Sequence, residues 1–323
     1  MILLTGGTGF LGKYLLDELL AQGQSVRMLV RNPDKVQPRQ GVELAEGDVL
    51  DVLSIERAME GVTQVIHAAA VVSFWKRRAD EMTQINVEGT ANMVDAALDA
   101  KVDKFLHVSS VAALGRTGFP TPVITEDSRW IKTPFNTRYG RSKYLAELQV
   151  YRGVEEGLKA VMCNPGLILG PGDWNSGTPS LFDKVAKGLK FYNPGTTGVV
   201  AAVDVARACR LLLESPLVNG ERFILVSESM PYKEFMGLMA KSLGVKGPSI
   251  VPPAALVKVF AGLATLRAAI TGKEPLVTGE SLKVSRGHCV YDASRITRAI
   301  PFTYSDIRQV IADTGAAYVR EHK

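Results

Sequence analysis

The chain has 323 residues, 46% of them hydrophobic and 22% charged, enough for one large or two intertwined folded units with sizeable cores. A formal charge of +5 is a mild excess, and with no dense Lys/Arg block to track a phosphate backbone, no nucleic-acid partner is expected. Cys163, Cys209 and Cys289 are odd in number, with no CxxC pair. They read as isolated, reduced core thiols, which excludes a disulfide frame, predicts no metal site and places the chain in the cytoplasm.

Met1-Ile2-Leu3-Leu4 is an apolar run with no basic segment or cleavage site before it, so no signal peptide is expected. Short apolar, often β-branched runs then alternate with helical patterns. Ile2–Leu4, Val26–Val30, Val42–Ala45, Val65–His67 and Phe105–Val108 read as buried strands, with Val161–Cys163 as the next. Gly12–Gln22, Ser54–Met59, Ala79–Ala100 and Arg138–Glu156 read as the helices between them. Such alternation predicts βαβ units and a parallel sheet with helices on both faces.

Beyond Gly166 the pattern changes. Gly170-Pro171-Gly172-Asp173 and Asn193-Pro194-Gly195 are turn clusters around a helical Ser180–Lys187. Val203–Leu213 (helix) and Arg222–Val226 (strand) return to the sheet, and Ile307–Arg320 reads as a terminal helix. The segment Val251–Ile270 is interrupted by Lys258 and Arg267 and opens on two prolines, so it falls short of a membrane span. It reads as an amphipathic helix over a second domain, with membrane-surface contact as the alternative.

Thr5-Gly6-Gly7-Thr8-Gly9-Phe10-Leu11-Gly12 joins the first strand to the first helix and satisfies both G-x-G-x-x-G and T-G-x-x-G-x-x-G. A tight turn, a backbone open to close approach and a helix N-terminus suit a dinucleotide's pyrophosphate. Gly6, Thr8, Gly9, Phe10, Leu11 and Gly12 are therefore expected at a cofactor. The second strand ends in Arg31 rather than in the acid that would hold the ribose 2′-OH of NAD. A guanidinium suits a 2′-phosphate, with Lys35 assisting, so NADP is expected over NAD. Asp48-Val49, after the third strand, reads as an adenine contact or, for Asp48, a turn before the next helix. Ala68-Ala69-Ala70, after the fourth, would let the backbone run close to the cofactor. His67 reads as a strand-end residue rather than a catalyst.

The fold expected is α/β: a doubly wound parallel sheet of the Rossmann type with a smaller, mixed α/β substrate domain. Residues 1–166 plus about 200–227 would form the first unit, and about 167–199 plus 228–323 the second.

Tyr139 and Lys143 stand at i and i+4 on one helix face. A cation beside a phenol, with a positive nicotinamide, lowers the phenol's pKa toward neutrality. Ser109-Ser110 ends the preceding strand at the carboxyl edge, where ligands of such sheets bind.

These motifs together resemble the extended branch of the short-chain dehydrogenase/reductase superfamily, also described as the NAD-dependent epimerase/dehydratase family, over essentially the whole chain. Thr5–Gly12 matches its glycine pattern and Tyr139–Lys143 its Y-x-x-x-K. The resemblance implies Ser110, five residues before Gly115, as the hydroxyl that orients a carbonyl. It implies Asn86 as a helix asparagine linked to Lys143 through water; bonding to backbone is the other reading of that side chain. It also implies Pro165-Gly166 with Leu167 and Ile168 around the nicotinamide. Val111-Ala112 stands where related dehydratases carry Asp-Glu, so dehydration is disfavoured.

The reading is an NADPH-dependent reductase of a hydrophobic ketone or aldehyde, similar to dihydroflavonol reductases and 3β-hydroxysteroid dehydrogenases. Tyr139 would give the proton, Lys143 would tune it and hold the nicotinamide ribose. The alternatives are a sugar-nucleotide epimerase with tightly bound NAD, and a non-catalytic NADPH sensor. Val71–Trp75, Trp130, Trp174, Phe191 and Tyr192 are expected near an aromatic, mostly apolar pocket mouth. The small-molecule partner is a carbonyl or alcohol, and a monomer or a homodimer are both open.

Overall fold

The computed structural model describes residues 1–115, 122–216, 219–253, 262, 271, 274, 278–280 and 285–322. Most of the apolar stretch Val251–Ile270 lies outside the described residues.

Seven strands form one sheet: β1 (Ile2–Thr5), β2 (Val26–Val30), β3 (Val42–Glu46), β4 (Gln64–His67), β5 (Lys104–Val108), β7 (Ala160–Pro165) and β10 (Glu221–Leu225). Their order is β10-β7-β5-β4-β1-β2-β3, and every pair is parallel. β1, β5 and β7 are buried along their whole length, as strands covered on both faces must be. On one face, helices α1 (Phe10–Ala21) and α7 (Ala202–Glu214) pack Leu15, Leu19, Cys209 and Leu212 against Leu4, Leu106 and Phe223. On the other, α2 (Val52–Met59), α4 (Gly89–Asp99) and α5 (Arg138–Glu155) bring Ile55, Met93 and Val150 against Leu3, Val65 and Phe105.

Strand order reverses between β1 and β4, which opens a crevice at their carboxyl ends. Between α3 (Ala79–Thr83) and α4 the chain keeps winding through one π turn, Gln84–Glu88, so the helix expected over Ala79–Ala100 is one rod with a widened turn at Asn86.

The second layer is a three-stranded sheet, β11 (Glu228–Pro231), β9 (Thr196–Ala201) and β8 (Leu167–Leu169), with β8–β9 parallel and β9–β11 antiparallel. Helices α6 (Ser180–Ala186), α8 (Tyr232–Ser242) and α10 (Ile307–Glu321) enclose its core of Phe182, Phe235, Met239 and Ile311. β6 (Val123–Ile124) pairs with β12 (Val290–Tyr291), and α9 (Ser294–Ala299) returns Ile296 to the core of the large sheet. The three cysteines are buried free thiols, as expected, and β7 and α7 bring the sulfurs of Cys163 and Cys209 to 3.8 Å in the core.

Candidate active site

The glycine loop is shaped by contact. Gly6 has φ +73°, and a Cβ there would stand 2.7 Å from the Ala68 carbonyl carbon and the Ala69 nitrogen. At Gly12 a Cβ would overlap the Gly6 oxygen, so this glycine lets α1 pack on the loop. Gly9 caps α1 without a side-chain hydrogen bond, and the first turn has no acidic residue. The N–H groups at that end are therefore left for an anion.

Beside them lies a cleft of about 310 Å³, lined among others by Gly6, Thr8, Gly9, Arg31, Asp48 and Val49, with Ala68, Ala69 and Ala70 closing it from β4. These residues fit a dinucleotide: the bare helix end faces a crevice whose floor is glycine and alanine backbone. Arg31 is exposed on its wall and has no ion pair among the described residues. Asp48 is a turn residue, one of the two roles considered for it: its Oδ1 accepts from Leu50 N at 2.9 Å, and it also lines the cleft.

Phe10, Leu11, Gly12 and Lys35 do not line this cleft. The Phe10 ring stands edge-on to Tyr14 at 5.5 Å, and Leu11 packs on the sheet core. Sequence reasoning missed Arg78, Glu81 and Ile85, which line the same cleft. Arg78 pairs with Glu81 at 2.8 Å and reaches Glu274 at 3.4 Å. The Arg78 hydrogen bond holds the Glu81 carboxyl below its usual range, with Arg31 adding a smaller share. Only an i, i+3 Arg–Glu spacing pointed to the first pair, and nothing local pointed to the cleft.

At the ends of β5 and β7 the two serines face opposite partners. Ser110 caps the 3₁₀ turn Val111–Leu114 by accepting from Ala112 N at 3.2 Å, and its hydroxyl is near enough to the Tyr139 phenol to favour the ionised form. Ser109 is buried and donates to Glu147 Oε1 at 2.6 Å. Thr137 caps α5 by accepting from Gly140 N at 2.8 Å, which starts the helix so that Tyr139 lies in its first turn.

Burial raises the Tyr139 pKa, with the Ser110 hydroxyl pulling the other way. Lys143 is turned inward: its Nζ donates to the Val108 oxygen at 2.8 Å and stands 3.2 Å from His107 Nε2. Desolvation, opposed by Glu147, brings the Lys143 pKa down to about 8. His67, fully buried, contacts the hydroxyls of Thr5 (2.8 Å) and Thr90 (3.0 Å), and burial lowers its pKa to about 3. It is the strand-end residue expected.

Asn86 is buried and bonds to backbone, one of the two readings offered for it. Its amide exchanges bonds with Val71, accepting from N at 2.7 Å and donating to O at 2.9 Å, and also donates to Ser142 Oγ at 2.9 Å. It fixes the chain after β4 to the Tyr139–Lys143 turn of α5, and Lys143 is not among its direct partners. Gly166 packs where a Cβ would stand 2.5 Å from the Gly198 oxygen, so Pro165-Gly166 bends tightly from β7 into β8, which carries Leu167 and Ile168.

The pocket mouth differs from expectation. A cleft of about 1110 Å³ is lined by Phe74, Trp75 and Trp130, and the Phe74 ring stands 6.2 Å from that of Tyr139. Its lining also carries Lys76, Arg77, Lys132, Arg138 and Arg141 against Asp80 and Glu280, so a basic rim, not foreseen, is added to the aromatic, apolar surface. Trp174 is not at the mouth; it is 7% exposed, packed on Phe182 and Tyr318. Phe191 is exposed and bridges to Ile250, and Tyr192 packs on the second core.

A crevice at a reversal of strand order, a glycine loop at its helix and a Ser–Tyr–Lys group at the neighbouring strand ends define a nicotinamide-dinucleotide oxidoreductase of the short-chain dehydrogenase/reductase class. The chain belongs to the NAD-dependent epimerase/dehydratase family, whose profile matches residues 2–225. Sterol demethylase protein B of Methylococcus capsulatus is 31% identical over 333 residues, 99% of this chain and 98% of that protein. Cinnamoyl-CoA reductase 1 of Petunia hybrida is 29% identical over 253 residues, 72% of this chain and 74% of that protein. The crystal structure of gox2253 superimposes with a TM-score of 0.83 at 29% identity, covering 100% of this chain and 98% of that one. Among the described residues, no helix is long and apolar enough to cross a membrane.

Proposed function

We propose that the chain reduces the carbonyl group of a ketone or aldehyde with NADPH. The observation that carries this reading is the meeting of Ser110, just past the carboxyl end of β5, with Tyr139 in the first turn of α5, one helical turn from a buried lysine. When bound, NADPH supplies a hydride from nicotinamide C4 to the carbonyl carbon. Tyr139, kept as the neutral phenol by burial, gives its proton to the carbonyl oxygen. Ser110 would hold that oxygen, its place beside the phenol bringing donor and acceptor together. Lys143 meets the nicotinamide ribose, and its charge compensates the phenolate left after proton transfer. Tyr139 then recovers its proton from solvent, so a carbonyl, a hydride and a proton give an alcohol.

Gly6, Thr8 and Gly9 would hold the pyrophosphate, Asp48 and Val49 the adenine side, and Arg31 the 2′-phosphate. Pro165, Gly166, Leu167 and Ile168 would flank the nicotinamide. The substrate body would rest on Phe74, Trp75 and Trp130, and the cations around these rings favour an acidic group on it. The relative named as a cinnamoyl-CoA reductase supports a reduction, and the one named as a sterol demethylase protein supports a large substrate.

A panel of aromatic, aliphatic and steroidal ketones and aldehydes, followed by loss of NADPH absorbance, tests the reading. Steady turnover of one class supports it. Equilibration of nucleotide sugars by a tightly held NAD, without net oxidation or reduction, would assign the site to an epimerase instead.

A further inference from the structure

His107 occupies the middle of the site's supporting strand, yet no step of the chemistry above uses it. It lies on β5, wholly buried, with its ring facing the α4–α5 side of the sheet and 5.4 Å from that of His67. The two histidines are satisfied differently. His67 has a hydroxyl on each nitrogen, from Thr5 and Thr90. His107 has Lys143 Nζ at 3.2 Å from Nε2, and its Nδ1 is buried without a partner.

An ammonium only donates, so the nitrogen facing it must carry the lone pair. That fixes the proton of His107 on Nδ1, the atom left without an acceptor. A buried, unmet N–H is a cost that folded proteins seldom accept, and filling the space needs only a ring. The fold accepts the cost where it sets an sp² acceptor against Lys143.

We infer that His107 is a positioning residue: with the Val108 carbonyl it forms a two-point seat that holds the Lys143 ammonium at the end of β5. Among the described residues, these two acceptors take two of the three Nζ hydrogens and leave the third for a ligand. The inference rests on the reading of Lys143 as a cofactor-binding cation. The titratable and charged groups around it are His107 on β5, His67 on β4, and Tyr139 and Glu147 on α5, with Arg222 on β10 neutralising Glu147. Burial and the lysine charge keep both imidazoles neutral, so the seat does not add a second cation.

The test is NADPH affinity of the full chain measured against pH by nucleotide fluorescence, a readout that needs no turnover. In the wild type, affinity should weaken as pH rises past about 8, where Lys143 loses its proton. His107→Phe keeps a ring and removes the acceptor, so that break should fall by about one unit, a tenfold change in the proton equilibrium. His107→Gln restores an acceptor and should restore the break; His107→Leu replaces the phenylalanine variant if that fails to fold. A break that stays with the wild type in the Phe or Leu variant, or that moves equally in the Gln variant, would overturn the inference. Failure of the carbonyl panel with a shifted break would instead overturn the reductase reading and leave the seat standing.

Discussion

Ser109 and Glu147 are joined by a 2.6 Å hydrogen bond in the core, immediately beneath the site. The carboxylate also accepts from Asn164 at 2.5 Å and from Arg222 at 2.9 Å, while Asn164 also donates to the Ser110 backbone carbonyl at 3.0 Å. The chain therefore separates two adjacent hydroxyls into a structural one and a reacting one.

Adjacent alanine substitutions should show that separation. Ser109→Ala removes a hydrogen bond to a buried charge and should cost about 1.5–3 kcal/mol of stability, with kcat little changed. Ser110→Ala should leave the denaturation midpoint nearly intact and lower kcat at least tenfold. Denaturant unfolding beside steady-state kinetics checks both, and reversed effects would reassign the serines.

The pH profile should have no histidine limb between about pH 5 and 8. His67 titrates near 3, and His107 is held well below its usual value, so both are neutral throughout. Lys143 is charged below about 8 and neutral above it. Tyr139 is raised and stays protonated through the same interval. The activity of the free enzyme, read as kcat/KM, should fall as pH rises past about 8. Its linkage to stability has the opposite sign. The folded state resists protonating this lysine, so stability rises with pH between about 8 and the unfolded value of about 10.4.

Arg31 and Arg78 should differ in the cofactor they discriminate. Arg31→Ala should weaken NADPH by about tenfold or more while NADH changes little, because only the former carries a 2′-phosphate. Arg78 is already bound to Glu81 and Glu274, so Arg78→Ala should affect both nucleotides alike. Titration of each nucleotide against both variants decides it; equal affinities in the wild type would remove NADPH preference from the account.

Much of this was legible in the sequence because it depends on local pattern. Fully buried strands read as apolar runs, and Thr5–Gly12 encodes its own loop and helix start. Tyr139 and Lys143 face one way by helical spacing alone. What escaped depends on distant partners. The short strands β6, β8 and β11 have no alternation long enough to recognise, and β9 begins Thr-Thr-Gly with none, so pairing defines them. Cys163 meets Cys209 only because β7 and α7 stack. The inward turn of Lys143 follows from the His107 acceptor, which no motif announces. The basic wall around Trp130 is assembled from two segments far apart in sequence, Lys76–Arg77 and Lys132–Arg141, each ordinary alone.

The central claim, that Tyr139 is the proton donor, is tested most directly by single-turnover hydride transfer in Tyr139→Phe, with NADPH affinity measured alongside. The phenylalanine ring keeps the packing against Phe74 and removes only the hydroxyl. Cofactor affinity should be unchanged and the chemical step slower by about two to four orders of magnitude. A loss of less than about tenfold, with the variant folded and NADPH bound, would contradict the assignment and place the proton on another group.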